Sequence, residues 1–156
     1  MGEGWPDWST GDCGVCAGTL DAPGGVILET DGWIVDHCIG PLPLGTLIVK
    51  PKRHCEHVGD LTAAEAVELG LLLRRVADCV RVLTGADQAY VCLWSHAGWE
   101  PVHVHFVVQP AWNRDRAVFA GPGPTTQVAQ FAAGQLPDRG AATAFAARAR
   151  EVLQIA

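Results

Sequence analysis

The chain has 156 residues, 49% of them hydrophobic and 18% charged, a balance that supplies one domain with its own core and excludes a disordered polymer. A net charge of −6 and a pI near 5.4 exclude a general binder of nucleic-acid duplexes, which needs a basic face, but leave room for small anionic ligands in a local pocket. No apolar run approaches the roughly 18 residues that span a bilayer, so no membrane partner is expected.

"MGEGWPDWSTGD" lacks the basic-then-apolar order of a signal peptide, and Pro6 stands where a myristoylation site needs a hydroxyl residue. A cytoplasmic location follows as an expectation, in which six cysteines are free thiols or metal ligands and not a disulfide framework. The first of them form "CGVC", Cys13 to Cys16, read as a turn. "GGVILETDGWIVDH" alternates around Asp31-Gly32, a hairpin signal with a propensity for φ > 0, and predicts strands over 25–30 and 33–38. "CIGPLPLGTLIVKPKRH" reads as a loop and then a strand over 46–50, closed by Pro51. Thr62 opens a helix over 63–83: Glu65 has the capping-box spacing, Gly85 supplies the stop, and apolar residues at 67, 69, 72, 73, 76, 80 and 83 keep a 3.6-residue period. "AYVCLW" and "VHVHFVVQ" are two further strands, and "GAATAFAARAREVLQIA" is a C-terminal helix with small residues inward. The whole is an α+β domain with a mainly antiparallel sheet of about five strands, one long helix and a C-terminal helix. Without an internal repeat or a boundary it is a single domain over 1–156, with its motifs in 13–112 and an Ala/Gly/Pro-rich extension over 113–156.

Two features carry chemistry. Cys13 and Cys16 have the gap that brings two thiolates to one ion, and a tetrahedral zinc site needs two more ligands, for which His54, His57, His96, His103 and His105 are candidates. The other readings are two buried small hydrophobes or a redox pair, the latter without the surrounding βαβ pattern. In "VHVHFVVQ" the strand period puts His103, His105, Val107 and Gln109 on one face and Val104, Phe106 and Val108 on the core face. Neighbouring histidines lie about 6.6 Å apart along such a strand, so one can bind a metal while the next reaches a substrate. An edge strand with two half-exposed histidines is the alternative.

At these residues the sequence resembles the histidine triad (HIT) nucleotide hydrolases and transferases, whose signature is His-x-His-x-His. "PLPLGTLIVKPKRH", "GDLTAAEAVELGLLLRRV", "AGWEPVHVH" and an N-terminal "CGVC" are similar, in order, to the family's strand and turn, its helix, its signature strand and the cysteine pair of zinc-bearing bacterial members. The resemblance implies a HIT-like fold, a homodimer through the long helix and a sheet edge, and a nucleotide or nucleotide-like ligand. Counting five from Gly98 makes His103 the first triad position, His105 the middle one and Val107 the third. Zinc would then be structural and held by Cys13, Cys16, His54 and His103. A register shifted by one position makes His103 the middle residue and leaves the zinc one ligand short.

By resemblance the middle histidine, His105, is the nucleophile that forms a covalent nucleotidyl-histidine, a role suited to an imidazole with a pKa near 6.5. The implied substrates are dinucleoside polyphosphates or nucleoside phosphoramidates; the alternative is a zinc-stabilised domain that binds a nucleotide or a protein with little turnover. Four residues depart from the family pattern, and three of them, Val107, Cys38 and Trp99, favour the alternative, while Thr46 is a surface or packing change. Val107 replaces the histidine that bonds the phosphate, a loss on the order of 3 kcal/mol of transition-state stabilisation, which Gln109 on the same face could offset. Thr46 replaces the histidine after Gly45, and Trp99 replaces a glutamine of the family. Cys38 falls where the family has its ribose-binding aspartate, with Asp36 the nearest carboxylate. Ser95 is a candidate phosphate contact or a loop-capping serine. Trp94, Trp99 and Trp112 wall a base pocket or serve as core and dimer contacts.

Overall fold

The computed structural model describes residues 13–94, 103–119, 121 and 123–155. The "CGVC" segment is more than a turn: Cys13 caps a single helical turn, α1 (Gly14–Ala17), which Gly18 closes in the left-handed conformation. Strands β1 (Val26–Glu29) and β2 (Trp33–His37) form the expected hairpin. Its turn does not use the expected φ > 0 at Asp31 or Gly32. Gly32 instead lies close to the long helix, where a Cβ would meet side-chain atoms of Glu68 and Glu65 at 3.1 and 3.3 Å. β3 (Leu47–Pro51), α2 (Ala63–Thr84), β4 (Gln88–Trp94) and β5 (His105–Ala111) follow. The strands make one antiparallel sheet in the order β1-β2-β3-β5-β4. Pro110 is tolerated in a central strand because β3 pairs only as far as Val108.

α2 begins at the predicted capping box, with Thr62 accepting from the Glu65 backbone and Glu65 from the Thr62 backbone, and ends at Gly85. One face of the sheet presents Trp33, Val35, Leu47, Val49 and Val108 to Leu72, Val76 and Val80 of α2 and to Phe145, Ala146, Ala149 and Leu153 of α4 (Arg139–Ile155). The small residues of α4 let its backbone lie close against β1 and β2 while α2 covers β4 and β5. Val67 does not join this core; it is 81% exposed.

The other face carries Asp36, Cys38, Ile48, His105, Val107 and Gln109, brought level by the pairings Asp36↔Ile48 and Ile48↔Val107. A helix that the sequence reading left inside the extension, α3 (Pro124–Ala132), lies over this face, with Pro124 opening its first turn. Among the described residues no helix is long and apolar enough to cross a membrane.

Candidate metal centre and histidine face

Four side chains from three separate segments converge at one end of the sheet. α1 puts Cys13 and Cys16 on one side of a single turn, and His54 follows the Pro51 turn that ends β3. His103 leads into β5, where the Val104 N–H donates to the Cys55 carbonyl at 2.8 Å. The Arg53 guanidinium holds the His54 turn to the start of α2, donating to the Asp60 carbonyl at 2.6 Å and to both Glu65 carboxylate oxygens at 2.9 and 3.3 Å. That ion pair, with the Thr62 backbone N–H next, holds the Glu65 carboxyl down at about 2.

One ligand atom from each of Cys13, Cys16, His54 and His103 lies within 4.8 Å of the others. His103 Nδ1 is 3.3 Å from Cys13 Sγ and 3.7 Å from Cys16 Sγ, and His54 Nδ1 is 3.5 Å from Cys16 Sγ. Bond lengths of about 2.3 Å to sulfur and about 2.0 Å to nitrogen in a tetrahedral zinc site separate ligand atoms by about 3.5 Å. The donor set therefore fits zinc in identity and in size. Burial pushes the Cys16 thiol up to about 11, and the neighbouring Cys13 adds to it, as expected of paired thiols that need a cation to ionise together.

The outward ring nitrogens are also engaged. His103 Nε2 donates to the Pro51 carbonyl at 3.0 Å, which leaves Nδ1 as the lone-pair nitrogen facing the thiols, and burial pushes its pKa down toward the neutral ligand form. His54 Nε2 lies 3.6 Å from a Glu56 carboxylate oxygen. The two imidazoles cross edge to face at 5.4 Å.

His105 stands next to this cluster, half-buried, with Nδ1 donating to the His103 carbonyl at 2.8 Å. The proton on Nδ1 makes Nε2 the lone-pair nitrogen of the neutral ring. His103 is thus the common element: its side chain faces the thiols and its main chain orients His105.

The remaining expected residues are dispersed. Ser95 and Trp99 lie outside the described residues. Asp36 is buried and its carboxylate accepts from Lys50 Nζ; burial raises the Asp36 pKa and the lysine opposes it. Gln109 is fully buried and its amide nitrogen donates to Gln130 of α3. Val107, Cys38 and Leu42 form a small apolar cluster with Ile48, Trp94 and Phe131. Two of the departures from the triad pattern, Val107 and Cys38, thus sit in one packing feature. Trp94 lies within it, its indole N–H donating to Gln127 at 3.0 Å, while Trp112 lies under the Arg114 guanidinium at 4.5 Å. Thr46 is fully buried and donates to the Pro43 carbonyl at 2.6 Å, a packing role.

Sequence reasoning missed three groups. Lys50 alternates with the strand's apolar residues, and only the sheet register brings it to Asp36. Gln127 and Gln130 lie in a segment whose sole helical cues are Pro124 at the first position and the Val128–Phe131 spacing. His37 is fully buried, its Nδ1 donating to the Cys38 carbonyl at 2.9 Å and its Nε2 accepting the Gly45 N–H at 3.1 Å. It pins the β2–β3 loop at Gly45, whose φ of +91° and close approach to Thr84 admit no side chain.

An antiparallel five-stranded sheet with α2 and α4 on one face and a histidine strand beside a Cys2His2 cluster is the architecture of the histidine triad folds. No protein-family model matches the chain. An uncharacterized HIT-like protein of Mycobacterium tuberculosis is 29% identical over 106 residues, which covers 67% of this chain and 72% of that one. A zinc-bound histidine triad family protein from Mycobacterium smegmatis superposes with a TM-score of 0.68 at 21% identity, covering 92% of this chain and 96% of the other. A hypothetical histidine triad nucleotide-binding protein from Sulfolobus tokodaii gives 0.67 at 18% identity, covering 92% and 91%. In sequence the chain is similar to HIT-like proteins, and in fold it matches histidine triad structures.

Proposed function

We propose that the chain is a nucleotide phosphohydrolase or nucleotidyl transferase that works through His105. The observation that carries this reading is the His105 hydrogen bond to the His103 carbonyl, which makes Nε2 the nucleophilic nitrogen without a separate base. Nε2 attacks the α-phosphorus of a dinucleoside polyphosphate or nucleoside phosphoramidate. The bond from phosphorus to the leaving oxygen or nitrogen breaks, and a nucleotidyl-histidine forms. Water, or another acceptor hydroxyl, then attacks the same phosphorus and releases His105. Gln109 and Ser95 are the proposed phosphate contacts and Asp36 the proposed ribose contact; Asp36 acts in that role only if it yields part of its pairing with Lys50.

Cys13, Cys16, His54 and His103 would hold a structural zinc ion, since four protein ligands leave no open position for water. The neutral His103 ring and its bond to Pro51 support that role. A homodimer is supported by β4 being an edge strand with Val91 and Leu93 exposed, and by Val67 and Leu71 exposed on α2. A reducing, cytoplasmic setting agrees with six free thiols. The apolar packing of Val107 favours a second reading, a zinc-stabilised HIT-like domain that binds a nucleotide or a protein with little turnover.

The test is intact mass after incubation with an adenosine phosphoramidate or a dinucleoside polyphosphate. A nucleotidyl adduct on the native chain and none on His105→Ala is expected. An adduct that survives His105→Ala but vanishes with His103→Ala overturns the assignment. Absence of adduct and hydrolysis across several nucleotides selects the binding reading.

A further inference from the structure

We propose that α3 is a displaceable plug over the sheet face beside His105, which a ligand held at His105 must unseat to extend over Val107 and Gln109; the inference rests on the reading of that face as a ligand site. Phe131 is the plug's tip. Its ring lies 5.1 Å from that of Trp94 and against Gly40, where an added Cβ would stand 3.3 Å away, and it joins Cys38, Leu42, Ile48 and Val107. Val107 is two residues along β5 from His105, on the same face. A group attached to a phosphorus bonded at His105 and extending along β5 over Val107 would meet Phe131, which packs on that residue's cluster.

The seat of α3 differs from those of α2 and α4. Besides Phe131, its sheet side carries Gln127 and Gln130, which are 1% and 7% exposed. Two side-chain bonds hold it, Trp94 Nε1–H to Gln127 and Gln109 to Gln130. Two buried polar atoms in the same contact, Gln109 Oε1 and Gln127 Nε2, have no hydrogen-bond partner among the described residues. A buried donor or acceptor left unpaired opposes the closed state, and withdrawal of α3 lets both meet water or a ligand. Left-handed glycines flank the helix, Gly121 and Gly123 before it and Gly134 after it, so the segment can re-aim at either end without side-chain strain. Withdrawal also frees the Gln109 carboxamide, a donor and an acceptor, on the face of His105.

Two measurements on the full chain test the plug, with adenosine 5′-monophosphate as the probe. If the open state is the minor one, its scarcity weakens apparent affinity by the same factor, so Phe131→Ala should tighten binding by about tenfold. In the native chain, amide hydrogen exchange over 124–132 should quicken when the probe saturates, while α2 and α4 keep their protection. Equal affinity of the two chains, or slower exchange in α3 on binding, overturns the plug. Should Phe131→Ala misfold, the exchange measurement decides alone. The adduct experiment is separate: tighter binding by Phe131→Ala with no adduct in either chain supports the plug and defeats the catalytic reading. Adduct formation at equal rates and equal affinities defeats the plug and keeps the catalytic reading. No binding by either chain overturns the plug.

Discussion

The two faces of the sheet obey different rules. On the helix side, Leu47, Val49, Val76, Val80 and Leu153 are packed together with no charged partner among them, and side-chain shape sets the contacts. On the other side, Asp36, Lys50, His103, Gln109 and the two glutamines of α3 are buried as well, and each side chain is tied to a specific polar partner, although Gln109 and Gln127 each keep one amide atom unpaired among the described residues. The first face stabilises by area. The second places charge and hydrogen-bond donors where apolar residues would pack more simply, and it is the face that carries His105.

The sharpest test of this contrast is the metal. Zinc bound at a thousandfold over its dissociation constant stabilises the folded chain by about 4 kcal/mol, and its loss should lower Tm by roughly 10 °C in a domain of this size. Chelation in a thermal scan should show that fall, and Cys13→Ser should abolish stoichiometric zinc in elemental analysis; an unchanged Tm and metal content would remove the centre from the argument.

Next comes the Asp36–Lys50 pair. Lys50→Met strands a buried carboxylate and should cost about 3–5 kcal/mol in urea unfolding, whereas Lys50→Met with Asp36→Leu should recover most of it. If the double variant is as unstable as the single one, the pair is packed by shape like the helix side and the contrast fails there.

The smallest effect lies at the turn that holds His54. The folded pKa of Glu65, about 2, lies below the unfolded value of about 4.3, so its stabilisation is complete above that value and is lost as pH falls through 2. Glu65→Gln should flatten the acid limb of stability between about pH 4 and pH 2, read from urea midpoints, and leave the neutral-pH slope unchanged.

These differences also explain what the sequence conveys. The helix-side face is legible because burial there follows periodicity: α2 runs from Ala63 as its capping box requires and stops one residue past the expected end. The thiol pair and the two histidines of β5 are legible because Cys13-x-x-Cys16 and the alternation of His103 and His105 are spacings along the chain, whereas the choice of His54 and His103 from five candidate histidines rests on the family resemblance. Partner choice across strands is not written in spacing. Lys50 reaches Asp36 only through the β2–β3 register, and His37 finds Gly45 only through the fold of the loop between them. α3 stayed hidden because its buried side is largely polar, so no apolar stripe announces it. Val67 misled in the opposite sense, apolar and in phase with the core yet exposed.

One bond has a longer reach than its length. The His105 ring is oriented by a main-chain oxygen, that of His103. No amino-acid substitution deletes a carbonyl, so drift at position 103 can erase one side chain of the Cys2His2 cluster while the tautomer of its neighbour persists. The inheritance of the two histidines is therefore separable: descendants of this chain can lose the Cys2His2 cluster and keep the ring in register, provided that the Val104–Cys55 bond still fixes the course of the backbone.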